Sequence, residues 1–214
     1  MNLTARQLRT GIRSPQALAR QMLLARIAPI APDTPRSAQR RWMDAAIRRY
    51  YGAKRDEATL FTNYDARTSR SSRHITAATE IANGRRMLER FMDLERGRPD
   101  PTRIQVDRTR VEIFGHGLIM GVDLAYETPR GWNLVALLTD DEIRRPEHLE
   151  LYATALALHW EGRSDGGRVV SVELWLIRGN RGALAWPRAV LERTVPALRV
   201  RLAEIEQGAP GQVA

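Results

Sequence analysis

The chain predicts an α/β (α+β) fold, and three observations carry that prediction. From residue 75 onward the apolar pattern runs helix, three strands, helix, strand, helix. The 74 residues before it show helical spacing and a dense arginine content. An apolar fraction of 43% over 214 residues is enough to build one sizeable core.

Each element follows from local signals. Thr4 caps a short first helix, and Ser14-Pro15 is an N-cap followed by proline at the first helical position. Leu18, Met22, Leu23 and Ile27 line one side of the next helix. Ala31-Pro32-Asp33-Thr34-Pro35 forms a linker, and a third helix runs from about Pro35 to Tyr51. There Trp42, Ala45, Ala46 and Arg49 fall at helical spacing, while Arg40, Arg41, Arg48 and Arg49 crowd the surface. Residues 52–75 read as a connection with one short apolar patch, Leu60-Phe61. Within it Arg67 to Arg73, RTSRSSR, is either a phosphate-contacting loop or a solvated linker.

A long helix from about Ile75 to Arg96 puts Ile81, Leu88, Phe91 and Leu94 on one side, and Gly97 and Pro99 stop it. After a weak strand-like stretch at 103–107, not counted among the three, strands follow at 110–114 and 118–126, with Gly115-His116-Gly117 as a tight connection. Trp132–Thr139 reads as a buried strand and Pro146–Trp160 as a helix. Arg168–Ile177 alternates Val170, Val172, Leu174 and Leu176 on one face of a strand. Pro187 opens a terminal helix reaching about Gln207. The expected division is a basic helical region at 1–74, a core at 75–207 and a loose tail at 208–214.

Charge is distributed unevenly. The chain carries a net +9, yet residues 1–110 hold 23 Arg/Lys against 11 Asp/Glu, while residues 111–214 hold 11 against 14. A polyanion meeting the N-terminal half is the expected partner; arginines decorating solvated helix faces are the alternative. There are no cysteines, which excludes disulfides and thiolate metal sites and fits a cytoplasmic protein. No run of about 18 apolar residues predicts a membrane span, and the N-terminus lacks the apolar core and cleavage site of a signal peptide.

The stretch with chemical content is Gly121 to Tyr152. Gly121-Val122-Asp123 lies on a strand, Ala136, Leu137 and Leu138 lie 13 to 15 positions after Asp123, and Thr139 follows. His148 and Tyr152 are one turn apart on the next helix. His116 and His159 have no partner at metal-ligand spacing, and Trp175 and Trp186 read as core anchors. The glycine-rich segments at 162–167 and 178–182 lack a following Walker-type lysine and read as turns.

This pattern resembles the PD-(D/E)XK nuclease superfamily, in particular its RecB-like exonuclease branch, which includes CRISPR-adaptation exonucleases. The resemblance implies a restriction-endonuclease-like core, a central mixed sheet flanked by helices, with Asp123 as the first carboxylate. It also implies that Thr139 and Tyr152 match the branch's Thr and Tyr, with His148 standing where Gln is expected. The Asp/Glu-x-Lys positions are Ala136, Leu137 and Leu138, so the site is degenerate. The only lysine, Lys54, lies far upstream. In that branch a histidine commonly sits on an earlier helix, and the comparable segment here, Ala38 to Asp44, has none. The four-cysteine iron–sulfur cluster of many relatives is likewise excluded.

The expectation is therefore a catalytically inactive nuclease-fold protein with no metal or other cofactor. Its vestigial pocket is Asp123, Ala136, Leu138, His148 and Tyr152. It would serve as a nucleic-acid-binding or scaffolding subunit of a DNA-processing complex in repair, mobile-element or anti-phage (CRISPR) settings. DNA is expected ahead of RNA, alongside protein subunits. Arg40, Arg41, Arg48, Arg49, Arg67, Arg70 and Arg73 are the expected backbone contacts. Two rivals stand. One is an active Mg²⁺-dependent deoxyribonuclease using Asp123 with a migrated Asp140 or Glu142, which otherwise form an acidic helix start. The other is a protein-interaction module that binds no nucleic acid.

Overall fold

The chain begins with β1 (Asn2–Thr4), and Thr4 closes it by capping α1 (Ala5–Arg13) in a reciprocal box with Gln7. Ser14 then accepts the Ala17 amide at 3.2 Å and starts α2 (Pro15–Ile27). The helical region continues with α3 (Pro35–Gly52), α4 (Glu57–Arg70) and α5 (Ala78–Glu95). Strands β2 (Arg103–Ile104), β3 (Thr109–Ile113), β4 (His116–Met120), β5 (Leu124–Thr128) and β6 (Gly131–Leu138) follow. The chain then forms α6 (Pro146–Glu161), β7 (Val169–Leu176), β8 (Gly182–Pro187) and α7 (Arg188–Gln207). The computed structural model describes residues 1–27, 35–70, 78–139, 145–178 and 182–208.

Three sequence expectations are corrected. The connection at 52–75 contains α4. Asp56 caps it by accepting the Thr59 amide at 2.9 Å, and Leu60, Tyr64 and Thr68 are buried at four-residue spacing. The polar clusters are thus the outer face of an amphipathic helix. The single strand expected at 118–126 is two, β4 and β5, broken at Gly121–Asp123. An additional edge strand, β8, ends at Pro187, which is also the N-cap residue of the terminal helix.

Among the described residues the strands form two sheets, ordered β1-β4-β3 and β2-β5-β6-β7-β8. In the larger sheet β6 and β7 run parallel across α6, while the other neighbours are antiparallel. This is the mixed sheet flanked by helices that the α+β expectation describes.

The alternation of side chains along β6 and β7 divides the core. Leu134, Ala136, Leu138, Val172, Leu174 and Leu176 pack with α1, α6 and α7. Val135, Leu137, Trp175 and Ile177 pack with α3, α4 and α5 on the other face. Tyr64 of α4 donates to the Ile81 carbonyl of α5 at 3.1 Å, over Gly84, where an added Cβ would lie 1.8 Å from the phenol oxygen. Among the described residues no helix is long and apolar enough to cross a membrane.

Candidate functional site

The site lies where β4 gives way to β5. Gly121 is required there, because a Cβ would meet the Val106 carbonyl oxygen at 2.5 Å. Two residues on, the Asp123 amide donates to the Val135 carbonyl at 2.9 Å. Leu124 pairs with Val135, so one further step in this register sets Asp123 beside Ala136. The spacing of the sequence motif therefore has a direct cause, a tight antiparallel hairpin of β5 and β6.

Asp123 is held on both carboxylate oxygens. Oδ2 accepts the Leu137 amide at 2.6 Å, and Oδ1 lies 2.5 Å from Nη2 of Arg40. Arg40 comes from α3 and uses its remaining nitrogens as well. Nη1 donates to the Leu137 carbonyl at 2.9 Å, and Nε lies 2.8 Å from Asp44 one turn along the same helix. Gln105 braces the arrangement from the end of β2. Its amide donates to the Asp123 carbonyl at 2.5 Å, and its side-chain amide donates to the Asp44 carbonyl at 2.6 Å. Gln105 does this at a φ of 47°, a left-handed conformation that non-glycine residues seldom adopt. Arg48 donates in turn to the Gln105 side-chain oxygen.

The charges are coupled. Burial opposes the Arg40 charge, but Asp123 and Asp44 outweigh it and hold the guanidinium above its ordinary value. Burial raises the Asp44 carboxyl, with Asp123 adding like-charge repulsion, while Arg40 and Arg108 act against the rise. Arg9 of α1 also acts on Arg40, in the repulsive sense. That same Arg9 donates to the Tyr152 hydroxyl at 3.2 Å and lies 5.3 Å from the Tyr152 ring centre. Tyr152 and Asp123 thus each hold an arginine, and those two arginines repel one another. His148 is buried on α6, and desolvation lowers its pKa despite Glu147, with Arg201 and Arg145 acting in the same direction as burial.

The residues expected to line the pocket are placed as follows. Ala136 and Leu138 are 4% and 3% exposed and belong to the cluster that contains Leu149, Tyr152 and Leu156 of α6. Asp140 and Glu142 lie outside the described residues. Of the expected backbone-contacting arginines, Arg40 turns inward to Asp123 and Asp44, whereas Arg41, Arg48 and Arg49 are exposed on α3. Arg67 is exposed on α4 and donates to Asn63 at 3.0 Å. Arg70 closes α4; its side chain and all of Arg73 lie outside the described residues.

Asp44, Arg9, Gln105 and Arg108 are the site residues that sequence reasoning missed. Only Arg40 and Asp44 carried a local signal, a charge pair at helical four-residue spacing.

A divalent cation of the kind the nuclease resemblance implies needs hard oxygen ligands in a regular cage. Both Asp123 oxygens are engaged by an arginine and a backbone amide, and the neighbouring motif positions are aliphatic. Among the described residues this donor set does not fit the ion.

No family model matches the chain, and no curated protein matches it. Among solved structures, the fold is similar to that of a "Putative exonuclease" from Eubacterium rectale. That comparison has a TM-score of 0.56 and 12% identity, and covers 100% of this chain and 83% of that one. A second, SSO0001, gives a TM-score of 0.37 and 11% identity over 91% of this chain and 86% of that one, too distant to support an argument. With its mixed sheet and flanking helices, the chain has a nuclease-like α+β fold.

Proposed function

We propose that this chain is a catalytically inactive member of the PD-(D/E)XK superfamily, of its RecB-like branch. In this reading it serves as a nucleic-acid-binding or scaffolding subunit of a DNA-processing complex. One observation carries the reading: the first carboxylate of the motif is retained, but its partner is Arg40 and its neighbours are Ala136 and Leu138. Hydrolysis of this type relies on a metal to polarise the phosphate and acidify the attacking water. A guanidinium bound to the carboxylate supplies charge but no open coordination position.

Binding is supported by the basic N-terminal half and by the exposed Arg41, Arg48 and Arg49 on α3. Contacts of that kind go to phosphates and give affinity without sequence preference. DNA is the favoured ligand because the fold resembles that of nucleases, and repair, mobile-element or anti-phage systems are the favoured setting.

The test uses the purified chain with labelled single-stranded and duplex DNA, in the presence of Mg²⁺ or Mn²⁺. The expected outcome is binding that weakens steeply with salt and leaves the DNA intact. Metal-dependent cleavage that disappears in Asp123→Ala would overturn inactivity. Absence of binding at low salt would instead leave a protein-interaction module.

A further inference from the structure

Loss of catalysis does not by itself require what Arg40 does. A merely decayed site would leave Asp123 solvated or replaced. Here one side chain crosses from α3 and uses all three of its guanidinium nitrogens. Nη2 is on Asp123, Nη1 on the Leu137 carbonyl and Nε on Asp44. Those partners sit at the start of β5, at the end of β6 and on α3 itself. A planar guanidinium with fixed donor directions is suited to such a bridge, and it carries the positive charge permanently. Gln105 adds a second tie between the same strand end and α3.

We infer that Arg40 is the resident cation of this pocket, fixing α3 against the β5–β6 hairpin and so making the fold's metal position metal-independent. It neutralises Asp123, joins helix to sheet, and sets the orientation of the exposed arginines on α3. Its removal uncovers two carboxylates, Asp123 and Asp44, that it now holds apart from any other cation. The identity of this pocket as the metal position rests on the superfamily reading proposed above but not on the nucleic-acid partner, so failure here and failure of DNA binding are separate results.

The experiment compares thermal melting of the full chain with Arg40→Ala and Arg40→Gln, each in EDTA and in Mg²⁺ or Mn²⁺. In parallel, the Leu137 amide resonance is followed while Mn²⁺ is added to the unsubstituted protein. Melting of the unsubstituted protein is expected to be indifferent to metal, with no Mn²⁺ broadening of Leu137. Arg40→Ala is expected to melt roughly 5–10 °C lower. Mn²⁺ should recover part of that loss, and adding Asp123→Asn should abolish the recovery. A folded Arg40 variant as stable as the parent, or one indifferent to Mn²⁺, overturns the inference. So does Asp123-dependent broadening of Leu137 in the parent. Should neither variant fold, the parent's Leu137 resonance decides: unbroadened supports the inference and broadened overturns it.

Discussion

Gly121 and Asp123 stand two residues apart and are fixed by different constraints. Asp123 is fixed by charge, through Arg40, and by the Leu137 amide. Gly121 is fixed by space, with the Val106 carbonyl where a Cβ would go. That carbonyl belongs to backbone and cannot rotate away, so Gly121→Ala must displace the strand end that carries Asp123. The expected cost is about 1–3 kcal/mol, read as a lower urea midpoint with an unchanged slope. A midpoint equal to the parent's would show that the chain yields there without strain. At this scale the sequence was informative about Asp123, because the hairpin register converts a 13-residue spacing into adjacency. The Arg40–Asp44 pair left only a local trace, a charge pair at helical four-residue spacing that sequence reasoning missed, and nothing in it says that the pair faces the sheet. The contact of Arg9 with Tyr152 spans 143 residues, and no local pattern could announce it.

Helices and strands were legible wherever a periodic apolar face is long. The helix at 146–161, the strand at 169–176 and the terminal helix all lie close to their expected positions. Strand β8 was not legible, since Gly182-Ala183-Leu184-Ala185-Trp186 is short, largely exposed and made mostly of small residues. Its strandedness comes from pairing with β7 over the full length from Leu176–Gly182 to Ser171–Pro187. Proline at the end of such an edge strand removes no interior ladder bond. The junction between the two sheets carries an element-scale prediction. His159 of α6 is buried and its Nε2 lies 2.9 Å from the Thr109 carbonyl of β3, so the neutral ring donates there. Burial lowers its pKa, and Arg163 adds to that, against the Thr109 and Leu118 hydrogen bonds. A depressed folded pKa means that the unfolded ring takes up its proton first as pH falls. The stabilising contribution is therefore complete above the ordinary histidine value of about 6.5 and is lost as pH drops through the folded value. His148 acts with the same sign, while the raised carboxyls of Asp44 and Glu95 act with the opposite one. Urea midpoints measured between about pH 7.5 and 5 should fall, and His159→Gln should flatten that fall. An identical pH dependence in His159→Gln would assign the acid sensitivity elsewhere.

Across the whole molecule, charge and fold are segregated. Residues 1–110 carry an excess of 12 positive charges, and the remainder carries an excess of 3 negative ones. Part of the positive charge is spent internally: Arg40 on Asp123 and Asp44, Arg55 on Glu95, Arg98 on Glu173. Arg41, Arg48 and Arg49 are exposed on the helix that Arg40 ties to the sheet, with Arg48 also donating to Gln105. If that face meets a nucleic-acid backbone, each phosphate contact releases counterions and contributes about 0.7–0.9 to the log–log salt slope. Replacing all three by alanine should then lower the slope by roughly 2–3 and weaken binding most at low salt. Arg130→Ala, an exposed arginine on the mildly acidic side, should leave the slope nearly unchanged. Fluorescence anisotropy with one oligonucleotide across a salt series measures both quantities. A triple variant that keeps the parent's slope would place the polyanion on another face. An equal loss from Arg130→Ala would mean that net charge, and not the α3 surface, drives association. The geometry favours loss of slope in the triple variant, because the three side chains are carried by one helix whose position is set by the Arg40 ion pairs and by core packing through Met43, Ala46 and Ile47.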